Sequence, residues 1–198
     1  MRFYPPNAPV PELLKTSEFT LRPLTPAHVK LDHAALMTSK QMLRLWSGNP
    51  HDGWPSDNFS VDENMADMEW HYGDHLARTA FTFTVLTPAE DEVLGCIYIV
   101  PFEPLMGDNP HLADLITDDC ALVRFWVVEP RLADGLDARL LREMLEWFES
   151  EWAFARIFFH VYEAHHQQIA TMQVSRAERV GRIKLTQRGD RHQLYQLL

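Results

Sequence analysis

The run from Asp119 to Val128 is the most apolar strand candidate in the chain, and it passes through Pro130 and Gly135 directly into an amphipathic helix that ends near Trp152. A strand this apolar belongs at the centre of a sheet, and a strand, turn and long helix in succession is the unit from which α/β domains are built. Elements of both kinds flank it. Phe19–Leu24 alternates as a first strand closed by Pro23, and Thr25 with Pro26 predicts a capped helix whose stripe is Val29, Leu31, Ala35 and Leu36. A second helix is predicted over Lys40–Trp46, and Ser60 with Glu63 forms a capping box opening a third helix that reaches about Arg78.

Ala80–Thr87 and Glu92–Pro101 read as a hairpin about Pro88-Ala89-Glu90-Asp91, followed by a polar loop with Pro104, Gly107 and Pro110. Beyond the central helix the expectation is a strand over Arg156–Tyr162, a helix over His165–Val180, a strand over Arg182–Thr186, a turn at Gln187–Asp190 and a last strand over Arg191–Leu197. The result is a mixed sheet with helices on both faces, formed by residues 19–198 as one domain, with the proline-rich residues 1–18 as an extended lead-in.

Composition bounds the function. Of 198 residues, 46% are hydrophobic and 23% charged, which fits a globular domain and neither a disordered nor a fibrous one. The formal charge of −10 disfavours nucleic acid as a partner, because that affinity rests on cations neutralising phosphates. The acidity is uneven, since Arg176, Arg179, Arg182, Lys184, Arg188 and Arg191 face only Glu178 and Asp190 in the last stretch, where a solvated basic face is expected. No apolar run reaches membrane-spanning length and the start has no signal-peptide order, so neither a membrane partner nor export is expected, and the expected location is the cytoplasm. Cys96 and Cys120 lie in apolar runs and read as buried reduced thiols, and the adjacent His165 and His166 point about 100° apart on a helix, which does not make a metal site.

The element order, together with Leu21-Arg22-Pro23-Leu24, Leu94-Gly95-Cys96-Ile97-Tyr98 and Phe125-Trp126-Val127-Val128-Glu129-Pro130, resembles the GCN5-related N-acetyltransferase superfamily from Phe19 to Leu198. The resemblance implies that family's fold, a mixed, mostly antiparallel central sheet flanked by helices, and acetyl-coenzyme A as co-substrate. It implies transfer of an acyl group to an amine of a small molecule or a peptide by direct attack in a ternary complex, without a metal. The segment Arg131, Leu132, Ala133, Asp134, Gly135, Leu136, Asp137, Ala138 stands where the family cradles a pyrophosphate on the amides of a helix start, with Trp126, Val127 and Val128 along the pantetheine arm. It is one residue short of the family's spacing, and Asp134 and Asp137 bring like charge to a phosphate site unless they serve only as N-cap and N3.

Where the family often carries a basic carboxylate and an acidic tyrosine, this chain has Arg124 and Ala177. Substitutes are Tyr162 as proton donor to the thiolate and His160 or Asp119 as a relay. The acceptor pocket is expected at Trp46, Trp54 and Phe59, with the carboxylates Asp52 and Asp57 suited to a cationic amine; of the tryptophans, Trp46, Trp70 and Trp126 read more readily as core and Trp54 as the better pocket residue. Two further readings stand beside the enzyme: a non-catalytic module of the same fold that binds acyl-coenzyme A or a protein, and a structural domain that forms a homodimer through exposed hairpin edges.

Overall fold

The computed structural model describes residues 2–48, 53–102, 109–184 and 191–197. The order is β1 (Leu14–Lys15), β2 (Thr20–Pro23), α1 (Val29–Thr38), α2 (Lys40–Trp46), α3 (Val61–Ala77), β3 (Phe81–Leu86), β4 (Val93–Pro101), β5 (Cys120–Val127), α4 (Leu136–Glu151), β6 (Arg156–Tyr162), α5 (His166–Gln173), β7 (Glu178–Lys184) and β8 (Arg191–Leu197). They form one eight-stranded sheet in the order β1-β2-β3-β4-β5-β6-β8-β7, flanked by helices. β1/β2, β2/β3, β6/β8 and β7/β8 are antiparallel, and β5/β6 is parallel.

The chain divides into two compact units. One comprises Pro11–Tyr98 and Phe125–Leu136, the other Met1–Val10, Ile99–Arg124 and Asp137–Leu198. In the first unit, the buried face of α1 is Val29, Asp32, Ala35 and Leu36, so a carboxylate takes the place the apolar stripe would give to Leu31. These side chains pack with Met42, Leu43 and Trp46 of α2, Met68 of α3, Cys96 of β4 and Trp126 of β5. α3 begins with the reciprocal capping box: Ser60 Oγ accepts from Glu63 N at 3.2 Å while Glu63 Oε2 accepts from Ser60 N at 2.7 Å. It ends where Arg78 turns left-handed at φ 59. Thr25, expected to cap a helix, makes no side-chain cap bond; it precedes a short 3₁₀ turn at Pro26–His28 that leads into α1.

In the second unit, β5 follows a left-handed residue, Asp119 (φ 61), and pairs with β6 over Cys120–Val123 and Arg156–Phe159. β5 continues to Val127 and β6 to Tyr162. Phe102, Leu122, Phe158, Ile183 and Leu194 form its core, and a 3₁₀ turn at Pro110–Leu115 occupies part of the region read as loop.

The last helix is shorter than its sequence reading. Ser175 donates to the Met172 carbonyl through both N (3.1 Å) and Oγ (2.7 Å), and Ala177 N donates to Ser175 Oγ at 3.1 Å, which closes α5. Residues from Glu178 onward then pair with β8. A neighbouring strand supplies hydrogen-bond partners that local helical preference cannot match. The expected turn at Gln187–Asp190 lies outside the described residues.

Candidate active site

The apolar strand reaches its end through a set of main-chain and indole contacts. Trp46 Nε1 donates to the Phe125 carbonyl at 2.6 Å, Trp126 Nε1 donates to Tyr98 Oη at 3.4 Å, and Val128 N donates to the Leu94 carbonyl at 2.8 Å. β4 can approach this closely only because residue 95 is glycine: a Cβ there would lie 2.1 Å from the Trp126 carbonyl oxygen, a main-chain atom that cannot swing aside. Any larger residue forces the strands apart.

After Val128 the chain makes a 3₁₀ turn over Glu129–Arg131. The amides of Glu129, Arg131, Leu132 and Gly135 are taken by Ser39 Oγ and the carbonyls of Val128, Glu129 and Leu132, respectively, at 2.8–3.1 Å. Gly135, at φ 74, reverses the chain, and α4 starts at Leu136. α4 opens at Leu136, and the first N–H groups of a helix have no intrahelical carbonyl to meet while the helix dipole adds positive potential there. Ala133 and Ala138 are exposed, so small side chains flank this start.

Both nearby carboxylates are diverted. Asp134 accepts from Arg131 Nε at 2.8 Å in an exposed pair, which neutralises its charge and also occupies the arginine expected to meet a phosphate. Asp137 is buried and accepts from Thr171 Oγ1 of α5 at 2.7 Å. Next to this helix start, α4 and α5 line a groove of about 400 Å³ that includes Ala138, Arg139, Arg142, Thr171 and Arg176.

The expected acid–base groups are not gathered at one place. Asp119 is held by Arg2 through Nε (2.7 Å to Oδ1) and Nη2, and this ion pair keeps its carboxyl below the usual range. It immediately precedes β5, level with Ala155, whereas Tyr162 lies seven residues further along the parallel β6, about 23 Å away at strand rise. His160 is 6% exposed, and its Nδ1 lies 3.1 Å from Nδ1 of His192, itself fully buried. Burial, with Arg124 and His192 adding to it, pushes the His160 imidazole well below its ordinary value. Tyr162 is half-buried, with its ring 5.5 Å from that of His192.

Of the expected pocket aromatics, Trp46 is core, while Trp54 and Phe59 are partly buried and meet edge to face at 6.0 Å. Trp126 is core as well, but Trp70 is 62% exposed and fills no core. Asp57 is engaged by Lys40 (2.5 Å) and Arg44 (3.1 Å), and Asp52 lies outside the described residues.

A polar cluster that the sequence reading did not single out lies beneath the indoles of Trp46 and Trp126. Asp32 is buried and accepts from Asn64 Nδ2 at 3.0 Å; desolvation raises its carboxyl to about 6 against that hydrogen bond. Burial pushes the Cys96 thiol and the Tyr98 hydroxyl well above their ordinary values. On α3, Asp67 Oδ2 lies 3.8 Å from His71 Nε2, and the His71 ring is 5.3 Å from Tyr98. The one signal in the sequence was the i, i+4 spacing of Asp67 and His71. Cys96 and Cys120 are free and buried. Among the described residues no group of three metal-ligating side chains occurs, and no helix is long and apolar enough to cross a membrane.

No protein-family model matches the sequence. No curated protein matches it either. Solved structures do. The apo form of RimL, a ribosomal L7/L12 alpha-N-protein acetyltransferase, superposes with a TM-score of 0.70 at 16% identity over 98% of both chains. The ribosomal-protein-S5-alanine acetyltransferase from Vibrio fischeri gives 0.70 at 13% identity over 94% of this chain and 96% of that one. The microcin C7 self-immunity acetyltransferase MccE, solved with acetyl-CoA and AMP, gives 0.69 at 12% identity over 91% and 92%. The strand-turn-helix, set in an eight-stranded sheet of this order, is thus the fold of the GCN5-related N-acetyltransferases.

Proposed function

We propose that this chain is an N-acyltransferase that uses acetyl-coenzyme A and transfers the acetyl group to an amine of a small molecule or peptide. The carrying observation is the start of α4, where Leu136, Asp137 and Ala138 offer N–H groups while Asp134 and Asp137, the two carboxylates that would repel a diphosphate, are bound elsewhere. The diphosphate docks on those amides, with Arg131 to Gly135 as the flanking turn. The main chain of Trp126, Val127 and Val128 carries the pantetheine arm, and Trp54 and Phe59 wall the acceptor. Most of the rate then comes from holding an already activated thioester beside the amine.

Thermal-shift titration with coenzyme A and acetyl-coenzyme A tests binding, and release of free thiol with a panel of primary amines tests turnover. Stabilisation with release supports the reading, and no stabilisation at millimolar ligand overturns it. A second reading, a coenzyme A-binding module without turnover, is favoured by one observation: Arg124 and Ala177 replace the usual base and acid, while Asp119 and His160 are held by Arg2 and His192. Stabilisation without thiol release on any amine selects it.

A further inference from the structure

The acyltransferase reading leaves the amine's proton without an acceptor, because a primary amine arrives as an ammonium and cannot attack a thioester until it loses one proton. Asp119 is held by Arg2, and His160 is enclosed with His192. α3 offers a pair in a different setting. Asp67 and His71 sit one turn apart with side chains 35% and 15% exposed, so both reach solvent while losing much of their hydration. Nδ1 of His71 lies 3.3 Å from Thr82 Oγ1, and Nε2 is turned toward Asp67; in the tautomer that carries its hydrogen on Nδ1, the threonine oxygen accepts and Nε2 is the basic nitrogen. The gap of 3.8 Å between Nε2 and Oδ2 is too long for a hydrogen bond and short enough for both to reach one ammonium. The His71 ring meets Tyr98 at 5.3 Å, and Tyr98 Oη accepts from the indole of Trp126 on the end of β5. The pair is thereby tied through two side chains to the strand assigned to the pantetheine arm.

We propose that Asp67 and His71 bind the ammonium of the acceptor and that His71 Nε2 takes up its proton, which makes the acceptor class a cationic primary amine. The inference rests on the acyltransferase reading. In the balanced step, one ammonium proton passes to His71 Nε2 and on to solvent, the amine lone pair forms the C–N bond, and the C–S bond breaks with its electron pair on sulfur. The second proton leaves nitrogen for the departing thiolate, giving amide and free thiol. The groups facing His71 are Asp67 and Asp74 on α3 and Tyr98 on β4, and Asp67 in turn raises the carboxyl of Asp32 on α1. Burial lowers the imidazole's affinity for protons and the two carboxylates oppose it, so the balance favours the neutral ring, the form that can take up a proton.

The test uses the full chain, acetyl-coenzyme A and a panel of cationic primary amines, following free thiol from pH 6 to 9. His71→Gln is expected to lower kcat/KM by at least about 100-fold and to abolish the acidic limb of the profile, with stabilisation by acetyl-coenzyme A unchanged. Asp67→Asn is expected to raise KM for the amine more than it lowers kcat, and it serves as a second variant should His71→Gln not fold. Turnover by the wild-type chain with either variant within about threefold of it, and the acidic limb retained, overturns the inference and leaves the acyltransferase reading standing. Binding of acetyl-coenzyme A with no thiol release by the wild-type chain overturns that reading and the inference with it.

Discussion

Two histidine clusters carry similar chemistry in opposite circumstances. In one, His160 and His192 face each other across β6 and β8, nitrogen to nitrogen at 3.1 Å, both buried and with Arg124 adding positive charge. Burial, with Arg124 and His192 beside it, pushes the His160 ring well below its ordinary value, so it gains no proton cheaply there. In the other, His71 lies beside a carboxylate, partly open to solvent, with its second nitrogen held by a hydroxyl. The contrast shows that partner and access, and not residue type, separate a packing histidine from one able to exchange protons with a ligand.

The largest expected effect, the loss of at least about 100-fold in kcat/KM on His71→Gln, has as its counterpart His192→Asn in the closed cluster. Next in size is a gain. The carboxyl of Asp32, at about 6 when folded against an ordinary 3.8, binds its proton more tightly in the folded chain, so ionisation opposes folding as pH rises from about 4 to 6. Asp32→Asn should therefore stabilise the protein at pH 7 by up to about 3 kcal/mol, read from urea unfolding, with the gain gone by pH 4. An equal effect at both pH values would separate it from ionisation.

His192→Asn should destabilise by about 2 kcal/mol, because it strands His160 in a dry site, while the rate of thiol release per folded molecule stays as it was. A fall in rate exceeding the fall in folded population would erase the distinction between the clusters. The smallest effect is in the pH dependence. His160 holds a proton less well folded than unfolded, so its contribution to stability is complete above about 6.5 and declines as pH falls below that value, opposite in sign to Asp32. Acid unfolding curves of Asp32→Asn should consequently fall more steeply below pH 6 than those of the wild-type chain, and those of His192→Asn less steeply.

The regular elements were legible where hydrophobic period and local stop signals agreed. Lys40–Trp46, Arg156–Tyr162 and Arg191–Leu197 have the bounds their sequence implies, and the Ser60–Glu63 box opens α3 as expected. α5 failed that test because its end is decided by β8, a partner remote in sequence. The turn after β5 was legible for a similar local reason: apolar strand, proline, glycine and amphipathic helix follow one another directly. The destinations of Asp134 and Asp137 were not, since they depend on where Arg131 and Thr171 stand in space. The cluster around His71 stayed hidden because Asp32, Asn64 and Tyr98 come from α1, α3 and β4 and meet only in the folded chain.

The bond from Asp137 to Thr171 also couples two helices mechanically. Charge arriving at the first turn of α4 pulls on amides that share a residue with that carboxylate, so the load is passed to α5 and not absorbed by a swinging side chain. Ligand docking at one end should thus quieten the other, visible as slower deuterium uptake across His166–Gln173, and Thr171→Val should uncouple them.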